Sequence, residues 1–119
     1  MFSRLDTVVL RVRDLPAAQR WYATTLGLGA IYEAHDEGLV VLGLAGNTSL
    51  TLWAVPAGET AGASSPFPIF GVDDAHAAQA HLRARGVAAG PVTEGPGVRY
   101  VRFADPDGNT LEACEVLPA

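Results

Sequence analysis

The most informative stretch of this chain is Phe103-Ala104-Asp105-Pro106-Asp107-Gly108-Asn109-Thr110-Leu111-Glu112-Ala113-Cys114. Its Asp-Pro-Asp-Gly-Asn core is typical of a tight turn, because Pro fixes its own φ and both Gly and Asn tolerate positive φ. The alternating apolar residues on both sides predict an antiparallel hairpin. In the second arm, Leu111 and Ala113 face one side of the sheet while Glu112 faces the other. The pattern therefore predicts a carboxylate on a sheet face that is otherwise an interior.

This hairpin is the end of an internal repeat. The segment around Val12-Arg13-Asp14 matches the segment around Val72-Asp73-Asp74, and both continue into an Ala-Ala-Gln sequence. Leu50-Thr51-Leu52 likewise corresponds to Leu111-Glu112-Ala113. Each module has about 50 residues and is too small to close a core alone, so the two are expected to pack as a pair. The repeat makes Thr7 the counterpart of Phe67, and Thr51 the counterpart of Glu112.

Each module reads as β-α-β-β-β. In the first module, one helix is predicted over 15–26, beginning after Asp14 and ending at Gly27. Strands are predicted over 5–12, 30–33, 39–44 and 48–55. In the second module, a helix over 75–85 is capped by Asp73-Asp74. Strands are predicted over 67–72, 98–104 and 110–116, and the range 87–94 is expected to hold a short edge strand interrupted by Pro91. The prediction is one α+β domain over 1–119, with module 1 at about 5–55, a linker at 56–66 and module 2 at about 67–117.

Composition excludes several classes of function. The chain has 119 residues and a net charge of -5, which disfavours nucleic acid and anionic membrane surfaces as partners. It contains no Lys, which excludes Schiff-base chemistry, and its single cysteine, Cys114, excludes an intrachain disulfide. No apolar run approaches the length of a membrane span, and the first residues lack the apolar core of a signal peptide. We expect a cytoplasmic protein.

The chain resembles the vicinal oxygen chelate superfamily, which includes glyoxalase I, extradiol dioxygenases, fosfomycin-resistance enzymes and bleomycin-resistance proteins. The resemblance rests on the order of four segments: Val8-Val9-Leu10-Arg11-Val12 with Asp14-Leu15, Trp21-Tyr22 with Leu26-Gly27-Leu28, Val72-Asp73-Asp74, and the stretch from Phe103 to Glu112. It implies two tandem βαβββ modules whose curled mixed sheets surround a shared cavity, commonly within a homodimer. Whether the modules pair within one chain or exchange between two stays open.

The resemblance also implies where a metal would be bound. Metal-using members place ligands at four equivalent positions, which in this sequence are Thr7, Thr51, Phe67 and Glu112. Only Glu112 is a ligand type that the family uses, and Phe67 offers no donor, whereas such an ion needs about three protein ligands. His35 is expected to be a solvated residue of a hairpin turn. We therefore predict no metal and no cofactor.

Strand parity predicts which residues share a face with these positions. The ligand-binding residues predicted on it are Thr7, Thr51, Trp53, Phe67, Tyr100, Arg102 and Glu112. Trp53 and Phe67 are either stacking surfaces or aromatic fillers of the space that a metal occupies in relatives. Glu112 either pairs with Arg102 or Tyr100, or faces a cavity and contacts a ligand.

The predicted function is metal-independent binding of a small molecule, with sequestration of an antibiotic or toxin as its role. The ligand is expected to be cationic or aromatic, because a stacking surface and a net negative charge suit a basic planar molecule. The alternative is a lyase or isomerase of the same superfamily, in which Glu112 is a catalytic base or a metal ligand.

Overall fold

The structure, a computed structural model, describes residues 1–61 and 67–118 of the chain. It divides into two compact units, Met1–Gly62 and Ala63–Ala119. In the predicted linker, residues 56–61 contain neither helix nor strand, and residues 62–66 lie outside the described residues.

The first unit is a four-stranded mixed sheet with one helix. In chain order its elements are β1 (Thr7–Val12), α1 (Leu15–Leu26), β2 (Ala30–Ala34), a short 3-10 helix (His35–Glu37), β3 (Leu39–Gly43) and β4 (Ser49–Ala54). The strand order is β1-β4-β3-β2, with β1 parallel to β4 and the other pairs antiparallel.

The second unit has the same architecture. Its elements are β5 (Ile69–Gly71), α2 (Ala75–Ala84), β6 (Thr93–Gly95), β7 (Val98–Ala104) and β8 (Thr110–Val116). The strand order is β5-β8-β7-β6, with β5 parallel to β8. The predicted α+β class and the two βαβββ modules are therefore confirmed, and each sheet is open, with an edge strand on either side.

The repeat extends to the pairing register. Val9 lies opposite Thr51 in the first unit, and Ile69 lies opposite Glu112 in the second. On the other side of the same central strands, Val41 lies opposite Thr51 and Arg102 lies opposite Glu112. Thr51 and Glu112 therefore occupy equivalent positions in the two sheets.

Both helices begin at the predicted caps. The Asp14 side chain accepts a hydrogen bond from the Ala17 amide at 3.0 Å, and the Asp74 side chain accepts one from the Ala77 amide at 3.1 Å. These bonds satisfy amides that have no partner within a helix. Gly27 ends α1 with a φ of 73°, a conformation that glycine adopts without steric cost.

Each helix packs against one face of the sheet in its own unit. Leu50 and Leu52 in β4 are buried, as are Leu111 and Ala113 in β8. Because side chains alternate along a strand, the intervening residues Thr51 and Glu112 point to the opposite face. The face that carries the predicted site is therefore the face away from the helix.

The hairpin turn between β7 and β8 is held by Asp105. Its carboxylate accepts hydrogen bonds from the Asp107 amide at 2.9 Å and from the Asn109 amide and side chain, both at 2.8 Å. Gly108 has the expected positive φ of 84°, whereas Asn109 does not. Asn109 is instead buried and serves the turn through its hydrogen bonds with Asp105.

Prolines account for where two strands of the second unit begin. β5 begins at Ile69 rather than at 67, since Pro68 has no amide to donate, although its carbonyl accepts from the Glu112 amide at 3.1 Å. Within 87–94, where a short edge strand interrupted by Pro91 is predicted, β6 begins only after this proline and spans Thr93–Gly95. Among the described residues, no helix is long and apolar enough to cross a membrane.

Candidate functional site

The second unit contains an ion pair on the sheet face away from its helix. Arg102 and Glu112 are cross-strand partners, and Arg102 Nε donates to Glu112 Oε1 at 3.0 Å. The Glu112 side chain is only 8% exposed, whereas that of Arg102 is 58% exposed. Of the two alternatives that the sequence leaves open, the structure therefore shows the pairing of Glu112 with Arg102.

Two aromatic rings lie beside this ion pair. The Arg102 guanidinium carbon lies over the Phe67 ring, 5.1 Å from its centroid, and over the Tyr100 ring at 5.4 Å. At these distances each ring attracts the cation electrostatically. Phe67 precedes β5, while Tyr100 lies two residues before Arg102 on β7, so both rings border the same guanidinium.

The rest of this face is apolar or weakly polar. Ile69 lies directly opposite Glu112 and is 58% exposed. Cys114, a free thiol, lies opposite Tyr100. The register of β7 and β8, together with the contact between Phe67 and Arg102, therefore brings together four of the predicted residues, which are Phe67, Tyr100, Arg102 and Glu112.

The equivalent face of the first unit is uncharged at the matching positions. Thr7 Oγ1 and Thr51 Oγ1 are 2.8 Å apart, and Thr7 Oγ1 also donates to the Ser49 carbonyl at 3.2 Å. Where the second unit has Arg102, the first has Val41. The hydroxyl groups of Thr7 and Thr51 are thus hydrogen-bonded to each other.

Trp53 lies two residues beyond Thr51 on β4, and its side chain is 47% exposed. The Arg11 guanidinium lies over the Trp53 ring at 4.7 Å, and it donates from Nε to the Trp53 carbonyl and from Nη2 to the Ala54 carbonyl, both at 3.1 Å. The half-exposed indole leaves ring surface on which a ligand could stack, which favours the stacking alternative for Trp53.

The sequence model of the Glyoxalase/Bleomycin resistance protein/Dioxygenase superfamily matches residues 4–113. The chain belongs to this superfamily. No curated protein matches the chain significantly.

Solved structures of superfamily members have the same fold. TnmS3, an antibiotic binding protein from Streptomyces sp. CB03234, is 26% identical with a TM-score of 0.81, and the match covers 96% of each chain. A superfamily member from Sphaerobacter thermophilus DSM 20745 is 25% identical with a TM-score of 0.82, covering 95% of this chain and 97% of that one. Lactoylglutathione lyase from Agrobacterium tumefaciens is 24% identical with a TM-score of 0.76, covering 95% and 93%, and this likeness supports the fold alone.

The residues at the metal positions of the superfamily do not fit a metal ion. Phe67 has no donor atom, Thr7 and Thr51 bond to each other, and the one carboxylate, Glu112, is bonded to a guanidinium. Within residues 1–61 and 67–118, no group of three or more His, Cys, Asp and Glu side chains could hold a metal ion.

The first unit of this superfamily member contains a polar cluster that the sequence did not reveal. Gln19 donates to Glu33 Oε1 at 3.0 Å, and His35 Nε2 lies 2.9 Å from Gln19 Oε1 and 3.3 Å from Glu33 Oε1. The hydrogen bond from Gln19, followed by that from His35, lowers the pKa of Glu33. His35 is therefore hydrogen-bonded as well as exposed to solvent. The helical pattern of α1 did not predict that Gln19 would contact residues in and after β2.

A separate depression of about 520 Å³ lies in the first unit, near the turn between β3 and β4. Arg4 and Asp6 form an exposed pair on its rim, with Arg4 Nη1 3.4 Å from Asp6 Oδ1. Of the predicted site residues, none lines this depression. It is a competing location for a ligand.

Proposed function

We propose that this chain is a metal-independent small-molecule-binding protein whose ligand lies on the sheet face around Arg102. One observation carries the proposal: an ion-paired guanidinium bordered by the Phe67 and Tyr100 rings on a sheet face that the helix does not cover. Small-molecule sites combine apolar and aromatic surface with a few fixed polar groups, and this face has both.

The proposed biological role is sequestration of an antibiotic or toxin. The antibiotic-binding protein TnmS3 supports it, since that protein matches nearly the whole chain at 26% identity. Binding an aromatic compound requires no reaction, and stacking on Phe67 and Tyr100 would supply affinity through burial of apolar surface. Thr7, Thr51 and Trp53 remain proposed contacts on the equivalent face of the first unit.

The contacts favour an aromatic ligand over a cationic one. A cation would be attracted to Glu112, but this carboxylate is nearly buried and already bonded to Arg102. The exposed charge on the face is the guanidinium, which repels a cation. The net charge of -5 attracts cations only weakly and at long range, where salt screens it.

The alternative is a lyase or isomerase with Glu112 as a general base. A general base must reach the proton that it removes. Glu112 Oε1 instead accepts a hydrogen bond from Arg102, so catalysis would require this ion pair to open. Metal analysis of protein purified without chelators tests the metal-dependent form of this alternative: a stoichiometric transition metal would contradict our proposal.

We also propose that the protein is a homodimer, as the resemblance implies, and that it is cytoplasmic, as expected from a sequence without a signal-peptide core. Val9 and Ile69, which occupy equivalent positions in the two units, are 46% and 58% exposed, and a partner protomer that covers this apolar surface would enclose the ligand on the same face. Light scattering coupled to size-exclusion chromatography should give twice the chain mass of 12.4 kDa. A monomer at all concentrations would contradict the dimer.

Isothermal titration calorimetry against a panel of aromatic antibiotics tests the binding function. We expect saturable binding of at least one compound, weakened about tenfold by Phe67→Ala, because a stacked ring contributes about 1 kcal/mol beyond its buried area. Phe2→Ala is the matched control, since Phe2 is an aromatic residue that is 99% exposed at the terminus. No binding across the panel, or equal losses in both variants, would contradict the proposal.

A further inference from the structure

We propose that Arg102 is the specificity-determining residue of this face and that it selects an anionic ligand, a planar aromatic carboxylate. The inference rests on the proposed function, because it names the class of molecule that the same face would bind.

Arg102 has unused hydrogen-bond donors. A guanidinium carries five N–H donors, one on Nε and four on the two Nη atoms. Within the described residues, 1–61 and 67–118, the only hydrogen bond of Arg102 is the one from Nε to Glu112. Both Nη atoms are therefore available, on a side chain that is 58% exposed. Arg11 differs, because its Nη2 already donates to the Ala54 carbonyl.

The ion pair holds these donors in place. Glu112 is nearly buried on the central strand β8, and it binds the guanidinium through Nε alone. Because the guanidinium is planar and rigid, the hydrogen bond at Nε and the two bordering rings together restrict where the two Nη atoms lie. Two parallel N–H groups at this end match the spacing of carboxylate oxygens, which gives a bidentate, charge-assisted contact. A donor pair that is already oriented loses less freedom on binding.

The charges nearby permit an anion at this position. A carboxylate bound at the Nη end lies closer to the guanidinium than to Glu112, which occupies the Nε side, so attraction exceeds repulsion. The remaining negative charges of the chain act over longer distances and are screened by salt. The rings of Phe67 and Tyr100, both bordering the guanidinium, offer an aromatic ligand a surface next to its carboxylate.

The test compares three probes of equal size and different charge: naphthoate, its neutral amide naphthamide, and naphthylmethylammonium. Their dissociation constants are measured by calorimetry with the full chain, with Arg102→Gln and with Arg99→Gln. Arg99 is the matched control because it lies on the same strand and pairs with Glu94, but faces the other side of the sheet. We expect naphthoate to bind at least about tenfold more tightly than naphthamide, as a charge-assisted pair implies.

The variants separate the role of Arg102 from that of Glu112. Arg102→Gln should remove the preference for naphthoate while naphthamide still binds, and Arg99→Gln should retain it. Glu112→Gln should keep or increase naphthoate affinity, since the amide oxygen still accepts from Arg102 Nε while the nearby negative charge is removed. Because Arg102→Gln leaves a nearly buried carboxylate without its partner, Arg102→Lys and the double variant Arg102→Gln/Glu112→Gln provide folded alternatives. Arg102→Lys should weaken naphthoate binding because ammonium lacks the planar fork.

The outcomes distinguish the selectivity for an anionic ligand from the role of Arg102 in that selectivity. Equal affinity for naphthoate and naphthamide, or tightest binding of naphthylmethylammonium, overturns the anion selectivity while leaving aromatic binding intact. Naphthoate selectivity that survives in Arg102→Gln overturns the role of Arg102. Binding of none of the three probes overturns the inference, whereas the proposed function is contradicted only if the panel of aromatic antibiotics also fails to bind.

Discussion

The ion pair between Arg102 and Glu112 depends on one cross-strand position. Glu112 is nearly buried, and an isolated buried carboxylate would be costly to desolvate. Arg102 lies opposite it in the antiparallel register and supplies the countercharge, while most of the arginine side chain stays in solvent. At the equivalent position of the first unit, Thr51 faces Val41 and no charge requires compensation.

Arg102→Ala should therefore destabilise the fold more than Glu112→Gln. The alanine variant leaves the Glu112 carboxylate without its partner, at a cost of about 1–3 kcal/mol, with solvent screening favouring the lower end because Arg102 is half-exposed. The glutamine variant keeps an acceptor for Arg102 Nε and should cost about 1 kcal/mol or less. Urea denaturation measures both. Equal free energies of unfolding in the two variants would contradict this account of the pair.

The pKa of Glu33 should be lower than that of an ordinary glutamate and should rise in Gln19→Ala, because the hydrogen bond from Gln19 is its main cause. Because the folded-state pKa of Glu33 is lowered, its contribution to stability is present above the unfolded-state pKa and is lost as the pH falls through the folded-state pKa. An NMR titration of the Glu33 carboxyl carbon measures the shift. The control is Gln79→Ala, since Gln79 is the repeat counterpart of Gln19. An unchanged pKa in Gln19→Ala would contradict the assignment.

At the residue scale, the sequence predicted which side chains share a face but not how they bond. Strand parity related Arg102, Tyr100 and Glu112 because alternation along a strand is strict. Whether Arg102 turned toward Glu112 depended on its rotamer, which no spacing rule determines. The contact of Gln19 with Glu33 was not predicted for a related reason, since it depends on how α1 packs against the neighbouring strand.

The β7–β8 hairpin is the element that delivers Glu112 to its face. Its turn combines the carboxylate of Asp105, which accepts bonds from two backbone amides, with the left-handed backbone of Gly108. A shift of one residue in this turn would exchange the faces of Leu111 and Glu112. The turn therefore sets the register on which the ion pair depends.

Gly108→Ala should destabilise the protein by about 1–2 kcal/mol, because an alanine is strained at a φ of 84°. A methyl group at Gly108 would meet no atom within 4 Å, so the cost arises from the backbone alone. Gly71→Ala is the matched control: the site is equally open and its φ is not positive, so we expect a change within about 0.5 kcal/mol. Thermal unfolding measures both variants, and equal stabilities would contradict this role of Gly108.

Elements with a clear chemical boundary were predictable. Asp14, Gly27 and Asp74 mark the helix ends because each satisfies a specific backbone requirement. The short elements were less predictable. β5 begins later than predicted, and β6 occupies only the end of the range in which a short edge strand was expected. The residues His35–Glu37 form a 3-10 helix within a connection that was interpreted as a simple turn. Three-residue elements depend on their neighbours more than on their own composition.

At the scale of the whole molecule, a repeated architecture carries different chemistry in its two units. Both sheets have the same strand order and the same register at Thr51 and Glu112. The first unit presents paired hydroxyl groups, and the second presents an ion pair between two rings. The repeat was visible in the sequence because the capping and strand motifs survive in both halves.

That residues 1–119 form one domain stays a prediction, which equilibrium unfolding can test. Both tryptophans, Trp21 and Trp53, belong to the first unit, whereas far-ultraviolet circular dichroism reports on helices and strands of both. A single cooperative domain requires coincident urea transitions by tryptophan fluorescence and by dichroism. A second transition seen only by dichroism would show that the second unit unfolds separately.

The central claim is that the ligand lies on the sheet face around Arg102. An NMR titration of the isotope-labelled protein with naphthoate tests it most directly. We predict that the largest chemical-shift changes occur at the amides of Phe67, Tyr100, Arg102 and Glu112 and at the Arg102 side chain. Changes concentrated around Arg4, Asn47 and Thr48, which line the depression of the first unit, or no saturable change at all, would contradict the claim.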